Sequence, residues 1–312
     1  MQRRNFLRTA GAATLAASQS ATFAQNGRKT IEYVQVDVFT KNPLEGNPLC
    51  AYIGADNLTD EEMQRITREM NHSETTFLQK SKGNGDGVVR IFTQGGEVPF
   101  AGHPTLGSAF VMAQMHAGKS PLKLEEKVGP IPVVVEKRRD GLYLEMTQND
   151  PKFLAKATDL PGLCKSLGFG VDELDSRYTP QVVTTGSAFL IVPLKSTSTL
   201  EKLSRDARLT AEQRAELKAG PYYVVTGESE LEARLLNGAS EDPATGSAAG
   251  CATSFLVQYG RCKPDVQFVI KQGRLAKRPS FIYANASLSD GQARNVRIGG
   301  YVVEVMRGKL TL

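Results

Sequence analysis

Apolar and polar positions in the first part of the chain follow two periods, one typical of strands and one typical of helices. The segment IEYVQVDVF (residues 31–39) alternates and is rich in β-branched residues, which predicts a strand. The same pattern predicts further strands at PLCAYIG, ETTFLQK and VVRIFT. A helix is predicted over 58–71, where Thr59 and Glu62 form a capping box. The loop QGGEVPFAGHP then leads to TLGSAFVMAQMHAG, a helix apolar on nearly all sides, as is typical of a helix inside a fold.

The second half of the chain repeats this order of elements. Strands are predicted at VGPIPVVVEKR, GLYLEMTQ, QVVTTG, AFLIVPL, PYYVVTG, FVIKQG, SFIYANAS and YVVEVMRGKL. TAEQRAELKAG predicts a surface helix, and the loop NGASEDP leads to a second largely apolar helix, ATGSAAGCATSFLVQYG.

The two apolar helices begin with similar sequences. HPTLGSA at residues 103–109 aligns with DPATGSA at 242–248, 139 positions later, with Pro, Gly, Ser and Ala identical. Two copies indicate an internal duplication and not a solenoid. We therefore expect an α+β fold of two pseudo-symmetric lobes, 25–119 and 120–312, each a curved, mostly antiparallel sheet around a central helix. The last strand could instead pair back onto the first lobe.

The N-terminal segment, MQRRNFLRTAGAATLAASQSATFAQ, predicts export. Arg3 and Arg4 precede a weakly apolar run and a small-residue site, the order of a twin-arginine signal. We expect cleavage after Ala24, which would leave residues 1–24 outside the mature chain and place the protein in the periplasm. A disordered basic tail on a cytoplasmic protein is the alternative.

Composition narrows the classes of function. The 312 residues carry 38 Lys and Arg against 33 Asp and Glu, a net charge of +5, and three of these positive charges belong to the first eight residues. The rest of the chain is therefore close to neutral, which argues against a surface that binds nucleic acid through its overall positive charge. After the N-terminus no apolar run is long enough to span a bilayer, so we expect no membrane insertion of the mature chain.

The cysteines and histidines do not predict a metal site. The four cysteines lack CxxC or zinc spacing, and the chain has only three histidines. Cys50 lies in an apolar strand and Cys251 in an apolar helix, so we interpret both as buried free thiols; Cys164 and Cys262 are left open.

The starts of the two apolar helices are candidates for anion binding. Unpaired N–H groups and the positive end of a helix attract anions, and Pro104 and Pro243 suit a first helical turn. One copy alone would indicate a plain helix cap, but two copies facing one cleft could hold a carboxylate or an enolate-like transition state. His103 and Asp242 then occupy equivalent positions at this cleft, where a histidine can act as an acid or a base. Glu74, between a helix end and a strand start, would on position alone be an ordinary surface carboxylate.

Four segments taken together resemble a known family. VDVFTKNPLEGNPLCAYI, MNHSETTFL, RIFTQGGEVPFAGHPTLGSA and EDPATGSAAG follow each other as in the PhzF-like isomerases of phenazine biosynthesis, whose fold is similar to that of diaminopimelate epimerase. The resemblance implies that Glu74 is the general acid and base, that His103 and Asp242 line the substrate site, and that Gly102, Gly246 and Ser247 help to bind the substrate. It also implies catalysis without metal or cofactor, and a homodimer. The export signal departs from what we expect of the family.

The function expected is that of a cofactor-independent isomerase that moves a proton on a small carboxylate-bearing substrate. Two alternatives remain open. An amino-acid or hydroxy-acid epimerase would need a second base, for which His103 is the obvious residue. An exported binding protein would keep the cleft without the chemistry.

Overall fold

The computed structural model describes residues 28–203, 206–219, 222–227, 231–237 and 240–312. The strands are β1 (Thr30–Val38), β2 (Asn47–Ile53), β3 (Glu74–Gln79), β4 (Gly87–Thr93), β5 (Gly96–Val98), β6 (Leu122–Glu126), β7 (Gly129–Arg138), β8 (Gly141–Thr147), β9 (Lys152–Lys156), β10 (Gln181–Thr184), β11 (Ala188–Pro193), β12 (Tyr222–Thr226), β13 (Leu231–Asn237), β14 (Ser240–Asp242), β15 (Phe268–Gln272), β16 (Ser280–Ser289) and β17 (Gln292–Thr311). The helices are α1 (Asp60–Met70), α2 (Gly102–Met115), α3 (Leu160–Leu167), α4 (Thr197–Lys202), α5 (Ala211–Leu217) and α6 (Gly246–Gln258). The predicted export signal, residues 1–24, lies outside the described residues.

Eight strands close into a ring around α2. Strand pairing runs β1–β2–β3–β4–β6–β7–β8–β17 and returns from β17 to β1. Helix α2 contacts every one of these strands, and its residues from Gly102 to Ala113 are all buried. Enclosure on all sides explains why the sequence of this helix is apolar nearly all round. Gly107 is required by the fit, because a Cβ there would lie 2.5 Å from a methyl carbon of Leu49 on β2.

The second half repeats the pairing order of the first. In the first half β1–β2 is antiparallel, β2–β3 parallel, β3–β4 antiparallel, β4–β6 parallel, and β6–β7 and β7–β8 antiparallel. The pairs β10–β11, β11–β12, β12–β13, β13–β15, β15–β16 and β16–β17 follow the same succession. Helix α6 packs on β10, β11, β12, β16 and β17 and contacts α2. The result is a mixed, strand-rich α/β fold whose pairing repeats as an internal duplication predicts.

The last strand joins the two halves. The twenty-residue β17 pairs first with β16, then with β8, and finally with β1, where Thr311 lies opposite Thr30. The strand predicted at the C-terminus therefore does pair back onto the beginning of the chain. It also starts earlier than predicted, because the turn at Gly291 lies well before the apolar run that marked it in the sequence.

Both loops predicted before the apolar helices contain short strands. The loop predicted at 94–104 holds β5, and α2 begins at Gly102 instead of Thr105. The loop predicted at 237–243 holds β14. Sequence periodicity also missed β6, β9, β13, α3 and α4. These elements are short, and β13 (LEARLLN) consists largely of residue types with high helix propensity although it pairs as a strand.

Local predictions from capping and burial are confirmed. The Thr59 side chain accepts a hydrogen bond from the Glu62 backbone N–H, and the Glu62 carboxylate accepts one from Thr59 N–H, as a capping box requires. Cys50 and Cys251 are buried free thiols, as predicted. Within the described part of the chain, no helix combines the length and apolarity needed to cross a bilayer.

Candidate active site

Glu74 is placed by the turn between α1 and β3. Helix α1 ends at Met70, and the left-handed conformation of the next residue, Asn71 (φ 53°), redirects the chain; Glu74 is the first residue of β3. Side chains alternate along this strand, so that Phe77 packs on the α1 side while Thr76 accepts a hydrogen bond from Ser108 of α2. By the same period Glu74 lies on the α2 side of the strand.

His103 lies beside Glu74 in the first turn of α2. Its side chain is only 3% exposed, and its Nε2 is 3.7 Å from Oε2 of Glu74. Neither of these two atoms has a hydrogen-bond partner among the described residues. Burial lowers the pKa of His103 to about 3, so that the imidazole is neutral over the physiological range.

Asp242 reaches the site at the end of β14, in a hairpin with β13. A buried ion pair fixes this hairpin: Arg234 Nε and Nη2 donate to the two carboxylate oxygens of Glu241 at 3.0 and 2.8 Å. Asp242 follows Glu241 directly, and its carboxylate accepts hydrogen bonds from the Thr245 hydroxyl and the Asn47 amide. The carboxylate is therefore held at both oxygens.

The starts of α2 and α6 touch each other at glycines. A Cβ on Gly102 would overlap Gly246 Cα and the Ser247 nitrogen. The first N–H groups of a helix have no partner inside the helix, so the backbones of His103 and Ser247 bring two such ends to one place. This is the arrangement of facing helix starts that the sequence predicted.

The sequence alignment of the two helix starts was out of register. The structure matches the halves at a spacing of 144 residues and not 139, as shown by the repeated Arg–Glu ion pair: Arg90 holds Glu97 as Arg234 holds Glu241. The same spacing relates Pro99 to Pro243, Gly102 to Gly246 and His103 to Ser247.

The predicted equivalence of His103 and Asp242 is therefore wrong. His103 lies inside a helical turn, whereas Asp242 ends a strand, and both it and Pro243 precede the Thr245 cap of α6. At the 144-residue spacing the counterpart of Asp242 is Val98. The sequence alignment took the wrong register because the two segments share residue types that are common at helix starts, although they do not occupy equivalent positions in the fold.

Asn47 is a residue of the site that the sequence did not predict. It is fully buried at the start of β2 and places its Nδ2 within 2.7 Å of Asp242 Oδ1, 2.8 Å of the Ala244 carbonyl and 3.1 Å of His103 Nδ1. It thus joins the starts of α2 and α6. The only sequence signal was the GNP turn, which predicts a bend and says nothing of a buried amide.

The cleft above these residues has a volume of about 760 Å³. Glu74, Asp242 and Ser247 line it, and Phe100 and Phe189 give it an apolar wall. Two further residues, Gly102 and Gly246, are adjacent in sequence to residues that line the cleft, and His103 lies next to the lining residue Glu74. No Lys or Arg is among the described residues that line the cleft, so a bound carboxylate would depend on N–H and hydroxyl donors.

Burial makes the two carboxyl groups of the cleft weak acids. Burial, reinforced by the negative charge of Asp242, raises the pKa of Glu74 from 4.5 to about 7. Burial also raises the pKa of Asp242, to about 6, although its hydrogen bonds from Thr245, Asn47 and the Ala244 N–H oppose the shift. Glu74 can consequently exchange a proton near neutral pH, the property a general base needs.

Metal ligands and cysteine thiolates are two further kinds of functional group to compare with the described residues. No group of three or more His, Cys, Asp or Glu side chains within them is arranged to hold a metal ion. Cys251, the cysteine on α6, is buried, and burial raises the pKa of its thiol to about 12. It is therefore not a thiolate at neutral pH.

Comparison with known proteins gives a consistent assignment. A profile of the PhzC-PhzF family, described as phenazine biosynthesis-like protein, matches residues 36–308. A trans-2,3-dihydro-3-hydroxyanthranilate isomerase of Pseudomonas chlororaphis is 35% identical over 284 residues, which cover 90% of this chain and 99% of that protein. Among solved structures, a predicted epimerase from Pseudomonas aeruginosa is 32% identical, with a TM-score of 0.80 over 90% of this chain and 99% of that one. A hydroxyproline epimerase from Agrobacterium vitis, 12% identical with a TM-score of 0.63 over 91% of this chain and 93% of that one, shares the fold.

Proposed function

Because the chain belongs to the PhzC-PhzF family and is an isomerase, we propose that it moves a proton within a small carboxylate-bearing substrate, with Glu74 as general acid and base. The observation that carries the proposal is the half-buried Glu74, whose buried Oε2 lies 3.7 Å from His103 Nε2 at the meeting point of two helix starts. A carboxylate with a pKa of about 7 can both take a proton from carbon and return it.

In this proposal the remaining residues bind the substrate and stabilise the charge that develops on it. The substrate carboxylate lies against the N–H groups of the two helix starts at Gly102, His103, Gly246 and Ser247, and accepts a hydrogen bond from the Ser247 hydroxyl. Charge that develops on the carboxylate as the proton leaves is stabilised by donors already in position. Asp242 accepts a hydrogen bond from an amino or hydroxyl group of the substrate. Proton transfer of this kind needs no redox partner, which agrees with the cofactor-free catalysis expected.

The proposal also assigns a role to the duplicated fold. We interpret the α2-centred ring and the α6-centred sheet as two pseudo-symmetric lobes, with the substrate between them. Each lobe then contributes one helix start and one carboxylate, Glu74 from the first and Asp242 from the second.

Deuterium exchange tests the proposed reaction. The protein would be incubated in D₂O with a panel of amino acids, hydroxy acids and cyclic diene acids, beside the variants Glu74→Gln and Glu69→Gln. Glu69 is an exposed glutamate of α1 and serves as the matched control. We expect wild type and Glu69→Gln to incorporate deuterium into at least one compound, and Glu74→Gln to incorporate none. Exchange that survives in Glu74→Gln would remove Glu74 from the role of base.

An epimerase is the second candidate, favoured by the structural likeness to a predicted epimerase. The same experiment separates the two, since an isomerase moves the double bond or the hydrogen to another carbon, whereas an epimerase returns the substrate skeleton with one centre inverted. Binding of a panel compound without any exchange would favour the non-catalytic binding protein.

We further propose that the protein acts in the periplasm and as a homodimer. Export through the twin-arginine route requires Arg3 and Arg4, so a change of both to lysine is expected to keep the protein in the cytoplasm. Light scattering of the mature chain would measure its oligomeric state.

A further inference from the structure

The orientation of the Asn47 side chain follows from its neighbours. The Ala244 carbonyl can only accept a hydrogen bond, and it lies 2.8 Å from Nδ2; Asp242 Oδ1 lies 2.7 Å from the same atom. The opposite amide orientation would set Oδ1 against these two oxygens and break both bonds. The atom that Asn47 presents to His103 is therefore its NH₂ group.

This contact decides which ring nitrogen of His103 carries the proton. The amide NH₂ group donates and has no capacity to accept, so a proton on Nδ1, 3.1 Å away, would point at another donor. Nδ1 is bare in consequence, and the proton of the neutral ring is on Nε2. The two Nδ2 hydrogens serve three acceptors, so one of them is shared between neighbours.

The contact also disfavours the charged imidazolium, which needs a proton on both nitrogens. The ionisable groups around the ring are Glu74 at Nε2, Asp242 on the far side of Asn47, and His72. Burial and His72 act against the charged ring, in the same sense as Asn47.

We propose that Asn47 is a positioning residue that fixes His103 as the neutral tautomer with its proton on Nε2, so that His103 donates a hydrogen bond towards Glu74 and the substrate and does not act as a base. The role of the Nε2 proton in the reaction rests on the proposed function; the tautomer itself does not. If it holds, His103 cannot supply the second base of a two-base epimerase, and Glu74 takes the proton alone.

Nitrogen NMR of the imidazole rings tests the tautomer in the absence of any substrate. Protein with ¹⁵N-labelled histidine has only three rings to assign, and His103→Asn identifies the signals of interest. We expect Nδ1 to stay bare and Nε2 to stay protonated between about pH 5 and 8, with only a small shift of the Nε2 signal as the neighbouring Glu74, whose pKa is about 7, loses its proton. A protonated Nδ1 in the wild type, a mixture of tautomers, or titration of His103 within this range would each overturn the inference.

Variants of Asn47 test the cause. Asn47→Asp offers Nδ1 an acceptor, so we expect loss of its bare-nitrogen signal; Asn47→Leu removes the donor without adding charge, so we expect a mixture of tautomers. Asn149→Asp, an exposed change, is the matched control and should leave the His103 signals as in the wild type. Unchanged His103 signals in a folded Asn47→Asp or Asn47→Leu protein would show that Asn47 does not set the tautomer. If neither variant folds, the wild-type pattern still decides. Because the NMR experiment uses no substrate, a failure of the deuterium-exchange experiment would not affect its result. A failure of the NMR experiment would likewise leave the result of the deuterium exchange unaffected.

Discussion

Replacing Glu74 with glutamine is expected to make the folded protein more stable at neutral and alkaline pH than the wild type. Burial beside Asp242 raises the pKa of Glu74 from 4.5 to about 7. Between these two values the unfolded chain releases a proton that the folded chain still holds. The free energy of unfolding of the wild type therefore falls as the pH rises from 4.5 to about 7, and it is not lowered further by Glu74 above that.

The size of this loss follows from the two pKa values. One pH unit is worth about 1.4 kcal/mol at 25 °C, so the interval from 4.5 to about 7 corresponds to about 3 kcal/mol. The glutamine variant has no ionisable group at this position and escapes the loss. Any fixed effect of the amide is the same at all pH values, so the informative quantity is the change in the stability difference between acidic and alkaline pH.

Denaturant unfolding from about pH 4 to about pH 8 measures this quantity. Relative to wild type, Glu74→Gln should gain about 3 kcal/mol across the interval, whereas Glu69→Gln on the exposed face of α1 should gain nothing. A difference between wild type and Glu74→Gln that stays constant with pH would refute the raised pKa, and with it the reason for assigning Glu74 as the base.

Three other predictions follow from the structure, two on variants and one on the unchanged protein. Arg234→Met leaves Glu241 buried without its partner and should lower the free energy of unfolding by about 3–5 kcal/mol in chemical denaturation, with much of the loss recovered in the double variant Arg234→Met/Glu241→Leu. Ser247→Ala removes a proposed donor to the substrate carboxylate, so KM should rise roughly tenfold or more with a smaller effect on kcat; an unchanged KM would place the carboxylate elsewhere. Cys50 and Cys251 should resist Ellman's reagent in the native protein and react only after unfolding, because both are buried and burial raises the pKa of each thiol to about 12.

Periodicity was sufficient to predict most of the strands and both enclosed helices, because these elements are long and buried. It failed for features that depend on contacts between residues far apart in the sequence. The correct repeat is revealed by the ion pairs Arg90–Glu97 and Arg234–Glu241. Their common spacing of seven residues is visible in the sequence, but only the strand pairing shows that these charges form ion pairs and are not ordinary surface charges. Asn47 was beyond reach for a similar reason: its partners lie 56, 195 and 197 positions away along the chain.

The two halves of the fold repeat each other, but the residues of the candidate site do not. The strand that corresponds to β3 in the second half is β12 (YYVVT), which carries no carboxylate to match Glu74. Conversely, the counterpart of Asp242 is the apolar Val98.

The two carboxylates also differ in what surrounds them, and this difference supports the separate tasks proposed for them. Both oxygens of Asp242 already accept hydrogen bonds, from Asn47 and Thr245, which favours the ionised form as a fixed acceptor. Oε2 of Glu74 has no partner among the described residues and is set only opposite His103. A carboxylate whose hydrogen bonds are already made is poorly suited to take a proton from carbon, whereas one with an open oxygen and a pKa near neutrality is suited to it. The geometry therefore supports the proposal of Glu74 as a single base, and with it a proton-shifting isomerase over a two-base epimerase.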